Sequence, residues 1–330
     1  MNLRLVKIFL PLDEKTKADV ILRKSNIDEF WHDRISDKKV LIRALVVAEK
    51  IEDFLDNLEE EFSDLEEFRT VILPVEASIP RFQQEEEEKA KKNGENPTPE
   101  RINREELFSH VSANSKLGWT YLVLIILASI VAAIGLAQGN VPMVVGAMII
   151  APLLGPAMGL SLGTILGDFN LTFSSLKTMM VGISTAFVFS VLVGIFFEVD
   201  PTATEIAMRT EPNFGDVVVS LASGAVGALS FTTGTLTSLA GVMVAVSLLP
   251  PLVAFGMLFG AGFSALSFGA LLLFVINLVA VNLAGIVTFL VQKISPRTRW
   301  EALKAKFLTG LAIFIWLSLL IASIGLIIYL

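Results

Sequence analysis

From Leu117 onward the chain is a succession of apolar runs, each about as long as a bilayer is thick. They cover Leu117–Ala137, Val141–Gly167, Leu176–Phe197, Asp216–Thr233, Thr235–Gly262, Leu266–Gln292 and Leu303–Leu330. A helix needs about 20 apolar residues to cross the hydrocarbon. Lipid offers no partner to a backbone amide or carbonyl, so segments of this kind are held to the α-helix. The expectation is a polytopic all-α membrane domain of about seven transmembrane helices over residues 117–330.

The first third is different. Residues 1–116 hold 19 of the 26 Lys and Arg and 26 of the 33 Asp and Glu, so the net charge of −7 resides there and the remaining 214 residues are neutral. An acidic balance without a basic stripe argues against nucleic acid as a partner. There is no cysteine, which excludes disulfides, thiolate metal sites and cysteine nucleophiles. The opening residues Met1–Lys7 have neither the apolar core nor the cleavage site of a signal peptide. The N-terminal domain is therefore expected to stay in the cytoplasm.

Within that domain, residues 4–10 read as a strand ending at Pro11, and Asp13 opens a helix with Ala18, Ile21, Leu22 and Ser25 on one side. Ile27–Ile35 and Lys38–Val47 are two extended runs joined by a turn at Ser36-Asp37. Glu49–Phe62 is an amphipathic helix with Ile51, Phe54, Leu55, Leu58 and Phe62 at helical spacing. Phe68–Val75 closes the set as a strand. The order βαββαβ predicts an α+β, ferredoxin-like domain over residues 1–79. By analogy of fold it is a regulatory domain binding a small molecule or an assembly module. Residues 80–116 form a charged linker with Glu85–Glu88, followed by an interfacial helix started by Thr98-Pro99. His32 reads as a surface or strand-edge side chain and His110 as a solvated interfacial one, because a metal site needs several convergent ligands.

Orientation follows from loop charge. The linker between spans six and seven carries Lys293, Arg297, Arg299, Lys304 and Lys306 against Glu301, whereas the segment between spans three and four carries Glu198, Asp200, Glu205, Glu211 and Asp216 with Arg209. Basic loops stay inside, which places the N-terminus in the cytoplasm and the C-terminus outside.

The second and fifth spans resemble one another. Residues 146–156, GAMIIAPLLGP, overlay residues 241–251, GVMVAVSLLPP, without a gap at an offset of 95. Three spans separate the copies, so they cross the membrane in opposite directions, as in an inverted-topology repeat. Pro152, Gly155 and Pro156 in the first copy, and Ser247, Pro250 and Pro251 in the second, are expected to break their helices, because proline lacks the amide donor and clashes with the preceding turn. Either a kink or a pair of discontinuous helices flanking a site satisfies this pattern. Gly155, Gly159, Gly163 and Gly167, four apart, form a stripe for close helix packing.

The interior of the spans carries hydroxyl and amide groups. The candidate polar lining is Thr232, Thr233, Thr235, Asn277 and Asn282. Asp168 either gates an entry or ends its helix. No Ser-His-Asp set, zinc-protease sequence or phosphate loop is present, and Asp168 and Asp216 fall on opposite sides of the bilayer, too far apart to share a proton. Catalysis, a cofactor and a bound metal are not expected.

The run Val145–Pro156, with Gly159, Gly163 and the upstream Ser112-Ala113-Asn114-Ser115, resembles the hallmark of an uncharacterised hydrophobic membrane-protein family of bacteria and archaea, domain of unknown function 389. The resemblance implies a polytopic prokaryotic membrane protein and supplies no substrate. The functional expectation is a plasma-membrane transporter or channel for a small solute or ion, with the lipid bilayer as its surroundings, a small-molecule regulator at its cytoplasmic domain, and assembly as a homo-oligomer. The alternative is a non-transporting sensor or scaffold.

Overall fold

Alternation builds the N-terminal sheet. In β1 (Leu3–Pro11) and β3 (Lys39–Val47), Val6, Ile8, Leu10, Val40, Ile42, Ala44 and Val46 point to one face and are buried. Onto that face fold α1 (Lys15–Lys24), through Ala18 and Leu22, and α2 (Ala48–Phe62), through Ile51, Phe54, Leu55, Leu58 and Phe62. β2 (Phe30–Arg34) and β4 (Arg69–Pro74) complete a four-stranded antiparallel sheet of order β2-β3-β1-β4. The computed structural model describes residues 3–65, 67–75, 102–233, 237–294, 296 and 299–329, without side chains at 48–49, 237–243, 246, 299–308 and 327–329.

The chain divides into two compact units, Met1–Glu106 and Leu107–Leu330. The boundary falls inside the expected linker, on α3 (Arg104–Asn114). Its cap is Asn103, whose Oδ1 accepts from the Glu106 amide at 2.8 Å, rather than Thr98, which lies outside the described residues. Arg104 donates to Asp56 at 2.7 Å and to Glu105 at 3.0 Å, and its amide donates to Glu52 at 2.8 Å. Burial opposes the Arg104 charge, but the two carboxylates outweigh it and raise its pKa. Arg4 pairs with Glu106 at 3.1 Å. Residues 103–106 are thus tied to the sheet unit. His32 lies on the edge strand β2, as expected, 2.7 Å from Asp19 and edge-on to Phe30.

The second unit is helical. Its elements are α4 (Trp119–Ala137), α5 (Val141–Ile150), α6 (Leu154–Leu166), α7 (Phe169–Phe196), the short α8 (Thr204–Ala207), α9 (Phe214–Thr233), α10 (Thr237–Gly260), α11 (Ser264–Val291) and α12 (Arg299–Tyr329). Among the described residues five helices are long and apolar enough to cross a membrane, and the bent pair α5–α6 makes six. α10 is 24 residues long, with Ser247–Gly260 as its described apolar part. α7 starts seven residues earlier than expected, so exposed Lys177, second in the expected span, is the ninth residue of the helix. At 1.5 Å per residue its 28 residues span about 42 Å, and the surplus over a ~30 Å hydrocarbon core lets a lysine near the end reach the interface.

A shift of 95 residues carries Phe169–Phe196 onto Ser264–Val291 end for end, and Trp119–Ala137 onto all but the last residue of Phe214–Thr233. It also carries Gly167 (φ 69°) onto Gly262 (φ 86°), two left-handed positions that end the helices before α7 and α11. Neighbours follow the same rule. α7 packs on α10 as α11 packs on α6, and α4 meets α7 as α9 meets α11. On α6, Ser161 Oγ lies 2.8 Å from where Gly285 would carry a Cβ and donates to the Asn282 carbonyl at 3.2 Å. At the shifted positions, Gly256 faces the Ser190 side chain and the Phe187 carbonyl, the latter 3.0 Å from its ideal Cβ.

Candidate functional site: a polar core at the proline positions

The two proline segments differ. In the first copy the helix does break. α5 ends at Ile150, residues 151–153 contain Pro152, and α6 departs at 50° to α5. Gly155 and Pro156 are not in the break. They lie in the first turn of α6, where a missing amide donor costs nothing because that turn has no intrahelical acceptor.

In the second copy the expected break is absent. α10 runs through Pro250 and Pro251 without interruption. Pro251 has no N–H for the carbonyl four residues back, that of Ser247. Asn277 on α11 supplies the lost donor, its Nδ2 donating to the Ser247 carbonyl at 2.7 Å. A side chain from the adjacent helix therefore replaces one of the two donors that the proline pair removes, and the helix continues.

Around that repair sits a small polar core. Ser247 Oγ donates to Ser223 Oγ of α9 at 3.2 Å, and Ser223 donates to the Val219 carbonyl at 2.7 Å. Ser223, Ser247 and Asn277 are 0%, 3% and 4% exposed. Asn277 Oδ1 is buried and accepts no hydrogen bond from the protein. Three helices thus converge on an uncharged hydroxyl–amide cluster with one free carbonyl oxygen.

The remaining candidates do not join it. Asn282 donates to the Leu278 carbonyl of its own helix at 2.8 Å. Thr232, buried at the end of α9, donates to the Leu229 carbonyl at 2.9 Å and accepts from Gln292 at 2.9 Å. Gln292 is fifteen residues along from Asn277, which is ~22 Å in helical rise. Thr233 is exposed and bonds to the Leu229 carbonyl. Thr235 lies outside the described residues. The hydroxyl patch and the Asn277 cluster are therefore separate.

The glycine stripe is consumed inside the protomer. A Cβ on Gly155 would strike the Asn114 carbonyl, one on Gly159 the hydroxyls of Ser115 and Ser175, and one on Gly163 Thr172. Ser115 Oγ donates to the Gly155 carbonyl at 2.8 Å. Gly167 is the left-handed cap of α6 and not a packing position. Asp168 caps α7, its Oδ1 accepting from the Leu171 amide at 2.9 Å.

Where α7 and α10 end, an open recess of about 610 Å³ is lined by Gly194, Phe197, Glu198, Asp200, Gly260 and Phe263. Asp200 accepts from the Thr202 hydroxyl at 2.6 Å and amide at 2.8 Å, and these bonds hold its carboxyl below the usual range. Sequence reasoning passed over Tyr121, Ser175 and Thr178, which are buried hydroxyls with no protein partner. A regular spacing of hydroxyls along one face of α7 was the available signal.

The family model described as domain of unknown function (DUF389) matches residues 148–283. An uncharacterized protein of Methanocaldococcus jannaschii is 36% identical over 289 residues, covering 87% of this chain and 87% of the relative. The chain belongs to the DUF389 family. No solved structure matches it. The matched DUF389 segment runs from the end of α5 into α11 and contains the α5–α6 break, Ser223, Ser247, Asn277 and Asn282.

Proposed function

We propose that this DUF389 protein is a transporter or channel for a small solute or ion, built on two inverted repeats of three spans, α4 to α7 and α9 to α11, with α12 as a seventh span. The observation that carries this reading is the exchange of contacts under the 95-residue shift. Ser161 against Gly285 and Asn282 becomes Gly256 against Ser190 and Phe187. Two copies of one unit related by a two-fold axis must contact each other in this reciprocal way. Three spans per copy make the axis lie in the membrane plane, the arrangement in which repeats rock about a central site.

The site in this reading is the neutral core beside Pro250 and Pro251, carried by the second repeat. Its members carry no ionisable group, so hydroxyls, the Asn277 carbonyl and freed backbone groups are what a substrate meets. The acidic recess at Glu198 and Asp200 is its outer vestibule. The protein sits in the plasma membrane of a prokaryote with its N-terminus in the cytoplasm and its C-terminus outside. It has no catalytic role. The sheet order β2-β3-β1-β4 supports a ferredoxin-like regulatory domain for a small molecule, and a homo-oligomer is the assembly proposed. Because Gly155, Gly159 and Gly163 meet their own chain, the rival scaffold reading loses the surface it depended on.

Purified protein in liposomes tests the proposal. Flux of at least one member of a panel of small ions and neutral solutes is expected, and Ser223→Ala with Ser247→Ala is expected to change its rate or selectivity. Absence of flux across the whole panel, from protein shown to be folded, overturns it.

A further inference from the structure

In the second unit, many helix hydroxyls donate to a carbonyl of their own helix, most often the one four residues back. Thr172, Thr185 and Ser190 do so on α7 at 2.7–2.8 Å, and Ser129, Thr164 and Ser223 do so elsewhere. Ser175 and Thr178, both 0% exposed, do not. Ser175 Oγ instead turns toward α6, against Gly159 beside Ser115. One turn beyond Thr178, Gly182 receives the hydroxyl of Tyr121 from α4, and that phenol is 6% exposed and also lacks a protein partner. Gly182 is what allows the approach, since a Cβ there would collide with the phenol. Three uncommitted hydroxyls thus lie along about 10 Å of one face of α7.

The fold does not require them. At the shifted positions on α11, buried Ala270 and Leu273 stand where α7 has Ser175 and Thr178. An apolar pair builds the equivalent helix, so the hydroxyls serve something other than packing. A buried hydroxyl left without a partner is costly, and its missing partner is an acceptor, because a hydroxyl binding a cation through its lone pairs still needs somewhere to donate. No ionised side chain is among Ser115, Tyr121, Ser175 and Thr178, and an unpaired anion at membrane depth is expensive.

We infer that the seam between α4, α6 and α7 binds a neutral hydrogen-bond acceptor, water or a small uncharged polar solute, held by Tyr121, Thr178 and Ser175. This deepens the transport proposal by giving the first repeat its own polar path, but the binding stands whether or not solute crosses.

The chain has two tyrosines, Tyr121 and Tyr329, so full-length protein in nanodiscs, labelled with ring-13C tyrosine, gives two signals that Tyr121→Phe assigns. Titration with glycerol or urea, together with magnetisation transfer from water, reads the seam directly. A saturable shift of the Tyr121 signal, with Tyr329 unmoved and the affinity lowered about fivefold by Thr178→Val, identifies a solute site. Water transfer to Tyr121 without that shift identifies water. Ser190→Ala, at a hydroxyl spent on its own helix, leaves either result unchanged. A Tyr121 ring that receives no water magnetisation and ignores both probes overturns the inference. A responsive Tyr121 in protein that carries no flux leaves the seam standing and rejects transport.

Discussion

The most informative single residue is Asn277, because its amide substitutes for a donor that Pro251 cannot provide. Asn277→Leu removes that donor and buries the Ser247 carbonyl without a partner, at a cost of about 1–3 kcal/mol. Pro251→Ala restores an amide at the right place, so the double variant is expected to recover ~1 kcal/mol of the loss. Thermal unfolding of the four proteins in one detergent measures the coupling. Strictly additive losses would refute the repair. At Asp200 the prediction concerns pH. Its pKa is depressed by Thr202, so the stabilisation is present above the unfolded carboxyl pKa and lost as pH falls through the folded value. Thr202→Val removes the hydroxyl bond and raises the Asp200 pKa toward the ordinary range, as a carboxyl-carbon NMR titration checks.

At the scale of elements, helix ends and helix contacts decide the outcome. Asp168→Ala deprives α7 of its N-cap and is expected to cost about 1 kcal/mol with flux unchanged. Gly155→Ala drives a methyl group into the Asn114 carbonyl and costs about 1–3 kcal/mol. Gly146→Ala, with open space around it in mid-helix, is expected to stabilise by up to about 1 kcal/mol. Melting temperatures of the pair separate packing from helix propensity. The sheet domain was legible because Val6, Ile8, Leu10 and Ile51, Phe54, Leu58 alternate with the periods of a strand and a helix. The Pro152 break was legible as well. The intact helix at Pro250-Pro251 was not, because its continuity depends on Asn277, 26 residues further on and on another helix. The start of α3 escaped for the same reason, being fixed by Asn103, Glu52 and Asp56 together. Thr232 and Asn277 were grouped by residue type, and helical rise places them far apart.

At the scale of the whole molecule, the central claim is that residues 119–196 and 214–291 are two copies of one unit lying in opposite directions across the membrane. The equal helix lengths, the paired left-handed glycines and the exchanged contacts all refer to the same 95-residue shift. Opposed copies account for the reciprocal packing of α6 on α11 and of α10 on α7, since each half presents the same kind of helix to the other. Gln138 and Thr233, both exposed, are equivalent under that shift and stand at the end of the first helix of each copy. The chain has no native cysteine, so Gln138→Cys and Thr233→Cys each provide a single reporter thiol. Labelling with a membrane-impermeant maleimide in sealed vesicles of known orientation is the most direct measurement. The account predicts that Gln138→Cys reacts from outside and Thr233→Cys only from the cytoplasmic side, and reaction of both from one side would contradict it.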